Sequence, residues 1–302
     1  MKHMKKQLSG ILILMGTTII WGSAFIAQSV GMDKIGPFTF QAIRCLLAVL
    51  FLFPASALFS GGAGFWKGWK NPVLWKSGLI CGLALFVASS LQQIGLMYTD
   101  AGKAGFLTAM YIVFVPFLGS FVGRKPGRNA LLSLPVAVVG LYLLSCTGAS
   151  GINKGDVLLL GCAVAFSVQI LLIDRHCGAL DGLRLNCVQA LVVAILSVPC
   201  ALLTETIEPA AIAQCWLPLG YAGVLSMGVA YSLQIVGQKR VAPTAAALVM
   251  SLESVFAALF GWLLLHETMT VFEKLGCVLV FGAVILSQLP EKKKLPAHPL
   301  SD

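Results

Sequence analysis

Charged residues are scarce in this chain. They make up 11% of its 302 residues, whereas a soluble globular domain has about 25%. Hydrophobic residues make up 58% and the mean hydropathy is +0.90, so polar groups cannot cover the apolar surface in water. This composition excludes a soluble enzyme and a folded basic surface for nucleic acid. It predicts an all-α integral membrane protein in contact with lipid.

Two kinds of chemical motif are also missing. The nine cysteines show no Cys-x-x-Cys or Cys/His ligand spacing, so they predict neither a metal site nor a disulfide framework. No Gly-x-x-x-x-Gly-Lys-[Ser/Thr] sequence is present, which excludes an ATP site of that kind. We therefore expect no cofactor, and a proton or solute gradient would have to drive any uphill transport.

Long apolar runs fill the chain instead. A bilayer core of about 30 Å needs about 20 apolar helical residues, and ten such runs lie between charged or Gly/Pro breaks. The first run follows a basic start, as in a cleaved signal. It is longer than the apolar region of a signal peptide, which has about 7–15 residues, so we expect a retained helix. The predicted spans are 8–30, 37–59, 74–98, 102–123, 130–147, 155–174, 184–204, 217–237, 243–265 and 271–289.

One segment of the chain occurs twice. Residues 93–116 and 234–257 align without a gap at an offset of 141, and Met15 and Leu160 begin a second match at an offset of 145. Matched order along both halves indicates duplication. Each copy holds five spans, an odd number, so the second copy starts on the opposite side of the membrane and the repeats are inverted. The predicted division is 1–148 and 149–290 for the two repeats, and 291–302 for a cytoplasmic tail.

Basic residues are distributed unequally between the two sides of the membrane. With the N-terminus inside, 16 of the 21 Lys and Arg residues fall on the inner side and 4 on the outer side, and Arg44 lies within the second span. Such a bias places both termini in the cytoplasm, with the chain in the cell inner (plasma) membrane. Inverted repeats of this kind are typical of secondary transporters, which bind substrate near the midplane between the repeats.

Several short motifs occur in or beside the predicted spans. They are Trp21-Gly22-Ser23, Pro37 with Arg44, the run from Gln93 to Phe106, Pro116, and His266-Glu267 ahead of Gly276 and Gly282. Together they resemble the drug/metabolite transporter superfamily, EamA type. The resemblance implies a 5+5 inverted fold, a cavity lined mainly by helices 1–4 and 6–9, and transport of small metabolites, often export of amino acids. The chain departs from the family at Gly123-Arg124, where members often have a Glu matching Glu267.

Glu253 and Arg44 are the ionisable candidates for the site. Glu253 follows Pro243 by ten residues, which places it about 15 Å into a core of about 30 Å. An ionisable residue at that depth faces the bundle interior or an aqueous cavity, so we expect it to bind substrate and to couple transport to protons. A carboxyl held only for packing is the alternative. Arg44, about 10 Å from the outer end of its helix, is its expected partner, as a fixed ion pair or as a site for a substrate carboxylate.

Other polar and aromatic residues lie at comparable depths. At the offset of 141, Glu253 corresponds to Ile112, so we expect the two repeats to contribute chemically different walls to the cavity. Gln93 and Gln234 are predicted at its two mouths, and Trp21 with Phe166 could form an aromatic wall; the amides could equally cross-link helices. The further predicted substrate-binding residues are Trp21, Gln93, Thr108, Tyr111, Gln169, Gln234 and Ser251.

We expect a secondary transporter, monomeric or homodimeric, that exports an amino acid or related solute by alternating access. A passive channel could use the same polar lining. A nucleotide-sugar antiporter would need several basic residues in the cavity, and only Arg44 lies in the membrane. An intramembrane serine protease could use Ser150 in Gly-Ala-Ser-Gly, but no base is expected beside it, since His176 is predicted at the inner face and His266 at a helix end.

Overall fold

The computed structural model describes residues 2–60, 63–99, 101–145, 152–264 and 268–289. All regular secondary structure within these ranges is helical, and ten of the helices are long and apolar enough to cross a membrane. The predicted all-α fold with ten spans is confirmed. The predicted repeat boundary after residue 148 and the tail 291–302 lie outside the described residues.

Two of the ten helices are broken into two segments, and one has a π-helical middle segment. Short helices at Ala63–Trp69 and Pro209–Gln214 precede α3 and α8. The ten are α1 (Lys2–Met32), α2 (Pro37–Ser60), α3 (Pro72–Leu96), α4 (Ala101–Ala109 and Tyr111–Phe121), α5 (Arg128–Ser145), α6 (Lys154–His176), α7 (Gly182–Thr204), α8 (Trp216–Gly220, Tyr221–Ala230 and Tyr231–Gln238), α9 (Pro243–Met250 and Leu252–Leu264) and α10 (Val271–Gln288).

Short polar side chains begin several of these helices. The Asn153 side chain accepts the N–H of Asp156, and the Asp156 carboxylate accepts the N–H of Asn153, which is a reciprocal cap on α6. Thr270 and Glu273 form the same arrangement at the start of α10. Such caps satisfy amides that would be costly to leave unpaired next to hydrocarbon.

The first repeat is α1–α5 and the second is α6–α10. The helix contacts that one repeat makes are also made by the corresponding helices of the other. Helix α2 packs against its counterpart α7, and α5 packs against its counterpart α10. Helix α3 packs on α6 and α7, while its counterpart α8 packs on α1 and α2. Each repeat therefore completes its core with helices of the other. Five crossings per repeat give the two halves opposite orientations, so the repeats are inverted.

Each repeat contains one helix that breaks near its middle. Helix α4 is interrupted at Met110 and α9 at Ser251, which are corresponding positions at the offset of 141. After each break the backbone tightens, because Val113 N–H donates to Met110 O at 2.9 Å and Ser254 N–H donates to Ser251 O at 3.3 Å. These bonds span three residues instead of four. Each helix still forms the single span that the sequence predicts, and the structure adds the interruption within it.

Polar contacts join α7 to the start of α2 and to the short helix Ala63–Trp69 that follows α2. Glu205 follows α7, and its carboxylate accepts the N–H groups of Phe38 at 2.7 Å and Thr39 at 2.8 Å. A negative charge there complements the dipole at the start of α2. At the other end, Arg184 Nη2 donates to Gly64 O at 3.3 Å. The two helices α2 and α7 are thus antiparallel.

Candidate functional site

A cavity lies between the two repeats, and both broken helices border it. The volume open to the centre of a water-sized sphere is about 40 Å³, which is room for roughly three water molecules. Of the helices that the resemblance implied, α7 alone contributes no residue to the lining that the structure describes. The lining residues are Trp21, Phe25, Gln28, Arg44, Gln92, Thr108, Tyr111, Phe166, Ile170, Ser226, Tyr231, Gln234, Met250 and Glu253.

The structure brings most of the predicted substrate-binding residues together. Gln93, Gln169 and Ser251 are buried outside the lining. Gln92 lines the cavity in place of Gln93, because successive residues of a helix point about 100° apart. Ser251, at the break in α9, donates its hydroxyl to Leu248 O at 2.8 Å. The predicted residues in the lining are Trp21, Arg44, Thr108, Tyr111, Gln234 and Glu253.

Glu253 lies in the first turn after the break in α9. Tyr111 Oη donates to Glu253 Oε1 at 3.1 Å, and the bond is buried. Tyr111 is itself the first residue after the break in α4. The two half-helices therefore meet at this hydrogen bond across the repeats. An acidic side chain at that point also complements the dipole of the half-helix that follows.

Arg44 does not form an ion pair with Glu253 in the structure. Its Nη1 donates to Gln28 Oε1 of α1 at 2.8 Å, and the Glu253 carboxylate is bonded to Tyr111 instead. The predicted pairing is wrong, because it considered only depth along each helix, whereas lateral packing puts Gln28 nearer to Arg44. Both charged groups still line the cavity. A cation and an anion thus face one space, each held by a neutral partner.

Four lining residues carry buried polar atoms without a hydrogen-bond partner among the described residues. These atoms are Trp21 Nε1, Arg44 Nε, Thr108 Oγ1 and Gln234 Oε1. A buried group left unpaired costs about 1–3 kcal/mol, so each such group needs an explanation. Trp21 Nε1 and Arg44 Nε are donors, Gln234 Oε1 is an acceptor, and the Thr108 hydroxyl can act as either. A ligand that carries both hydrogen-bond acceptors and donors would satisfy all four.

A row of amides lies behind Gln234. Gln234 Nε2 donates to Gln169 Oε1, and Gln169 Nε2 donates to Gln189 Oε1, each at 3.4 Å. The three residues belong to α8, α6 and α7. Interhelical bonds of this kind contribute on average about 0.6 kcal/mol in membranes. The row therefore orients Gln234 at the edge of the cavity, and Gln169 is a positioning residue.

Aromatic rings form one wall of the cavity. The rings of Trp21 and Tyr231 lie 4.8 Å apart and are tilted by 60°, and Phe25 and Phe166 also line the space. Tyr231 directly follows the π-helical stretch Tyr221–Ala230, whose wider turn shifts the helical phase. Tyr231 begins the regular segment Tyr231–Gln238 and lies three residues before Gln234, so both side chains share one helix face. Phe166, considered above with Trp21 as an aromatic wall, lies in the lining with it. The other lining residues outside the predicted set are Phe25, Gln28, Gln92, Ile170, Ser226, Tyr231 and Met250; of these, the buried polar Gln28 and Gln92 gave a usable sequence signal.

No group of three or more His, Cys, Asp or Glu side chains that could hold a metal ion occurs in the described part of the chain. Ser150 and His266, considered above for a protease, lie outside that part. His176 is described, and its Nδ1 lies 3.4 Å from Ser77 Oγ. The structure thus assigns His176 a contact with α3.

The two repeats match a known family separately. The sequence profile of the EamA-like transporter family fits residues 8–146 and, again, residues 153–289. The chain belongs to the EamA-like transporter family. The predicted superfamily is thereby confirmed, and the protein is a membrane transporter, not an enzyme.

Individual relatives agree with this family. An uncharacterized transporter of Archaeoglobus fulgidus is 34% identical over 288 residues, which are 94% of this chain and 87% of that protein. The threonine/homoserine exporter RhtA of Escherichia coli (strain K12) is 25% identical over 310 residues, covering 97% of this chain and 96% of that protein. A solved crystal structure that is 18% identical has a TM-score of 0.78 over 92% of this chain and 96% of its own, and so shares the fold. The EamA-like transporter is thus a multi-pass membrane protein with a small-molecule substrate.

Proposed function

We propose that this EamA-like transporter moves an α-amino acid, or a closely related zwitterion, across the cell membrane by alternating access. One observation carries the proposal: Arg44 and Glu253 line the same cavity without pairing with each other. A zwitterion offers a carboxylate to the guanidinium and an ammonium group to the carboxylate. The name of the relative RhtA supports this class, since threonine and homoserine are both α-amino acids.

The unpartnered atoms of the lining suit the same substrate. Trp21 Nε1 and Arg44 Nε are free donors for a carboxylate, and Gln234 Oε1 is a free acceptor for an ammonium group. Trp21 and Tyr231 also present aromatic faces, which attract cations at close range. A simple amine or a simple carboxylate would leave one half of these groups unpaired. Recognition therefore favours molecules that carry both charges.

Alternating access is supported by the size of the cavity. Pockets for drug-sized ligands measure roughly 300–1,000 Å³, and this cavity is about 40 Å³. Substrate can enter only if the surrounding helices move. The corresponding breaks at Met110 and Ser251 supply hinges in the two repeats at the level of the cavity, as in other carriers with inverted repeats. A passive channel would need a continuous opening instead.

We infer export, with Glu253 carrying a proton in the opposite direction. Glu253 is the acid in the lining, and when the ammonium group of the substrate leaves, a proton can replace it and keep the buried site neutral. The direction follows the name of the exporter RhtA. We also infer cytoplasmic termini from the 16-to-4 bias of basic residues. Labelling of single cysteines placed at Lys34 and Lys125 with an impermeant reagent tests that orientation.

Counterflow in proteoliposomes tests the proposal. Labelled threonine outside should accumulate against unlabelled threonine inside, which requires a carrier that alternates. A matched panel contains each amino acid beside the amine without its carboxylate and the hydroxy acid without its ammonium group. Only the zwitterions should exchange. Arg44→Gln should raise KM for the zwitterion, while Arg128→Gln removes a surface cation and should leave KM unchanged.

Glu253→Gln separates the roles of the carboxylate. If Glu253 carries the proton, threonine efflux in this variant should no longer depend on the pH gradient. The control Asp33→Asn removes an exposed carboxylate and should keep that dependence. Equal exchange of the amine, the hydroxy acid and the amino acid would overturn the zwitterion assignment. Unchanged pH dependence in Glu253→Gln would overturn proton coupling, and the absence of any counterflow alongside free passage would assign a channel.

A further inference from the structure

A second cavity opens on the surface of the helix bundle, away from its centre, between α4 and α6. Its volume is about 750 Å³, far larger than the central cavity, and it shares no lining residue with that cavity. One end of this groove is polar, formed by Arg124, Asp174 and Arg175. The rest of the groove is apolar. Its apolar lining residues are Leu118, Phe121, Val122, Val168, Leu171 and Leu172.

The end of α4 places Arg124 at this groove. Gly123 has a φ of 78°, a left-handed conformation that glycine adopts without strain. Gly123 N–H then donates to Ser120 O at 3.4 Å and Arg124 N–H to Gly119 O at 2.8 Å, which is the pattern of a Schellman cap. The chain turns back toward α6, and Arg124 Nε lies 2.7 Å from Asp174 Oδ2. The Gly123-Arg124 departure from the family motif thus builds one wall of the groove.

Arg175 adds a second cation next to that pair. It lies in the last turn of α6 and is exposed, and the described residues give it neither an ion pair nor a hydrogen bond. Arg124 meets the charge of Asp174, so the polar end of the groove keeps a net positive charge. The side chain of Arg124 is itself 55% exposed.

We propose that the groove binds one anionic phospholipid. An acyl chain lies between α4 and α6 along the apolar walls, and the phosphate contacts Arg175 and the exposed side of Arg124. The ends of spanning helices lie at the level of lipid phosphates, and basic pockets between helices bind such headgroups. The charge bias places these helix ends on the cytoplasmic side, where anionic lipids attract basic residues. The site is separate from the substrate cavity and does not depend on the proposed substrate.

Native mass spectrometry of the purified full chain tests this assignment. The protein in detergent is titrated with phosphatidylglycerol and, separately, with phosphatidylcholine of the same chains. We expect one phosphatidylglycerol to bind in preference to phosphatidylcholine. Arg175→Gln should weaken that binding about fivefold, the factor expected for one basic residue at an anionic surface. Arg128→Gln removes a charge from the next helix outside the groove and should leave binding unchanged.

A second pair of variants tests the apolar part of the groove. Val168→Trp fills it, whereas Val164→Trp places the same bulk on an equally exposed position of α6, outside the lining. Only Val168→Trp should displace the lipid. Equal retention of phosphatidylglycerol in wild type, Arg175→Gln and Val168→Trp would overturn the proposal. So would displacement of the lipid by inorganic phosphate, which would indicate a site for a free anion, or loss of a dimer in Val168→Trp, which would assign the groove to a second copy of the chain.

Discussion

The two broken helices occupy equivalent places in the fold but are held by different forces. Helix α4 is joined to α6 by an ion pair near each end, Lys103 to Asp156 at 2.6 Å and Arg124 to Asp174 at 2.7 Å. Helix α9 packs on the counterpart of α6, which is α1. In the described parts of α9 and α1 no ion pair joins them.

Close backbone packing takes the place of charge between α1 and α9. A Cβ atom at Gly22 of α1 would lie 2.6 Å from Phe256 Cβ and 2.8 Å from Ala257 N. The corresponding residue of α6, at the offset of 145, is Ser167, whose hydroxyl lies 3.4 Å from Tyr111 O. The two sides of the cavity are therefore sensitive to different perturbations. Ionic interactions matter for α4 and α6, and side-chain volume matters for α1 and α9.

The largest effect should come from added volume at Gly22. Gly22→Val forces α1 away from the α9 backbone, and overpacking of this kind costs about 3 kcal/mol. We expect a lower free energy of unfolding in mixed micelles and loss of counterflow. Gly16→Ala in the same helix is the control, because the added Cβ atom would meet only Leu233 Cδ1, at an ordinary contact distance of 4.0 Å. Wild-type stability in Gly22→Val would show that α1 and α9 are not held by close packing.

A smaller effect is expected at the Lys103–Asp156 ion pair. Lys103→Met leaves the buried carboxylate of Asp156 without its cation, at a cost of about 2 kcal/mol, below the cost for a fully buried pair. A double-mutant cycle with Asp156→Asn in the same micelles measures the coupling. Additive changes in the two single variants would mean that the pair does not contribute, and the contrast between α4 and α9 would then disappear.

The smallest effect is expected at the Arg124–Asp174 ion pair. Arg124 is 55% exposed there, so Arg124→Gln should cost only about 0.5 kcal/mol, and high salt should reduce the difference from wild type. Unfolding at low and high ionic strength measures this, with Lys125→Gln as a control for net charge. If Arg124→Gln lowers the free energy of unfolding as much as Lys103→Met does, both ends of α4 depend equally on charge.

Much of the candidate site was predictable from single residues. Depth along a helix can be counted from its first residue, and it identified Glu253 and Arg44 as groups inside the membrane. Rotation about the helix axis was harder to predict, which is why Gln92 and not Gln93 lines the cavity. Tyr231 lies three residues before Gln234 in a regular helical segment, so helical spacing from Gln234 places it on the same face.

The sequence by itself determined that the chain lies in a membrane, that it has ten spans and that its two halves are inverted. These properties depend on hydropathy and on the number of crossings, which are sums over residues and do not depend on their neighbours. Only the tertiary structure decided which polar groups meet. Tyr111 reaches Glu253, and Arg44 reaches Gln28, because lateral packing and helix rotation select the partners, and neither can be read from depth within one helix.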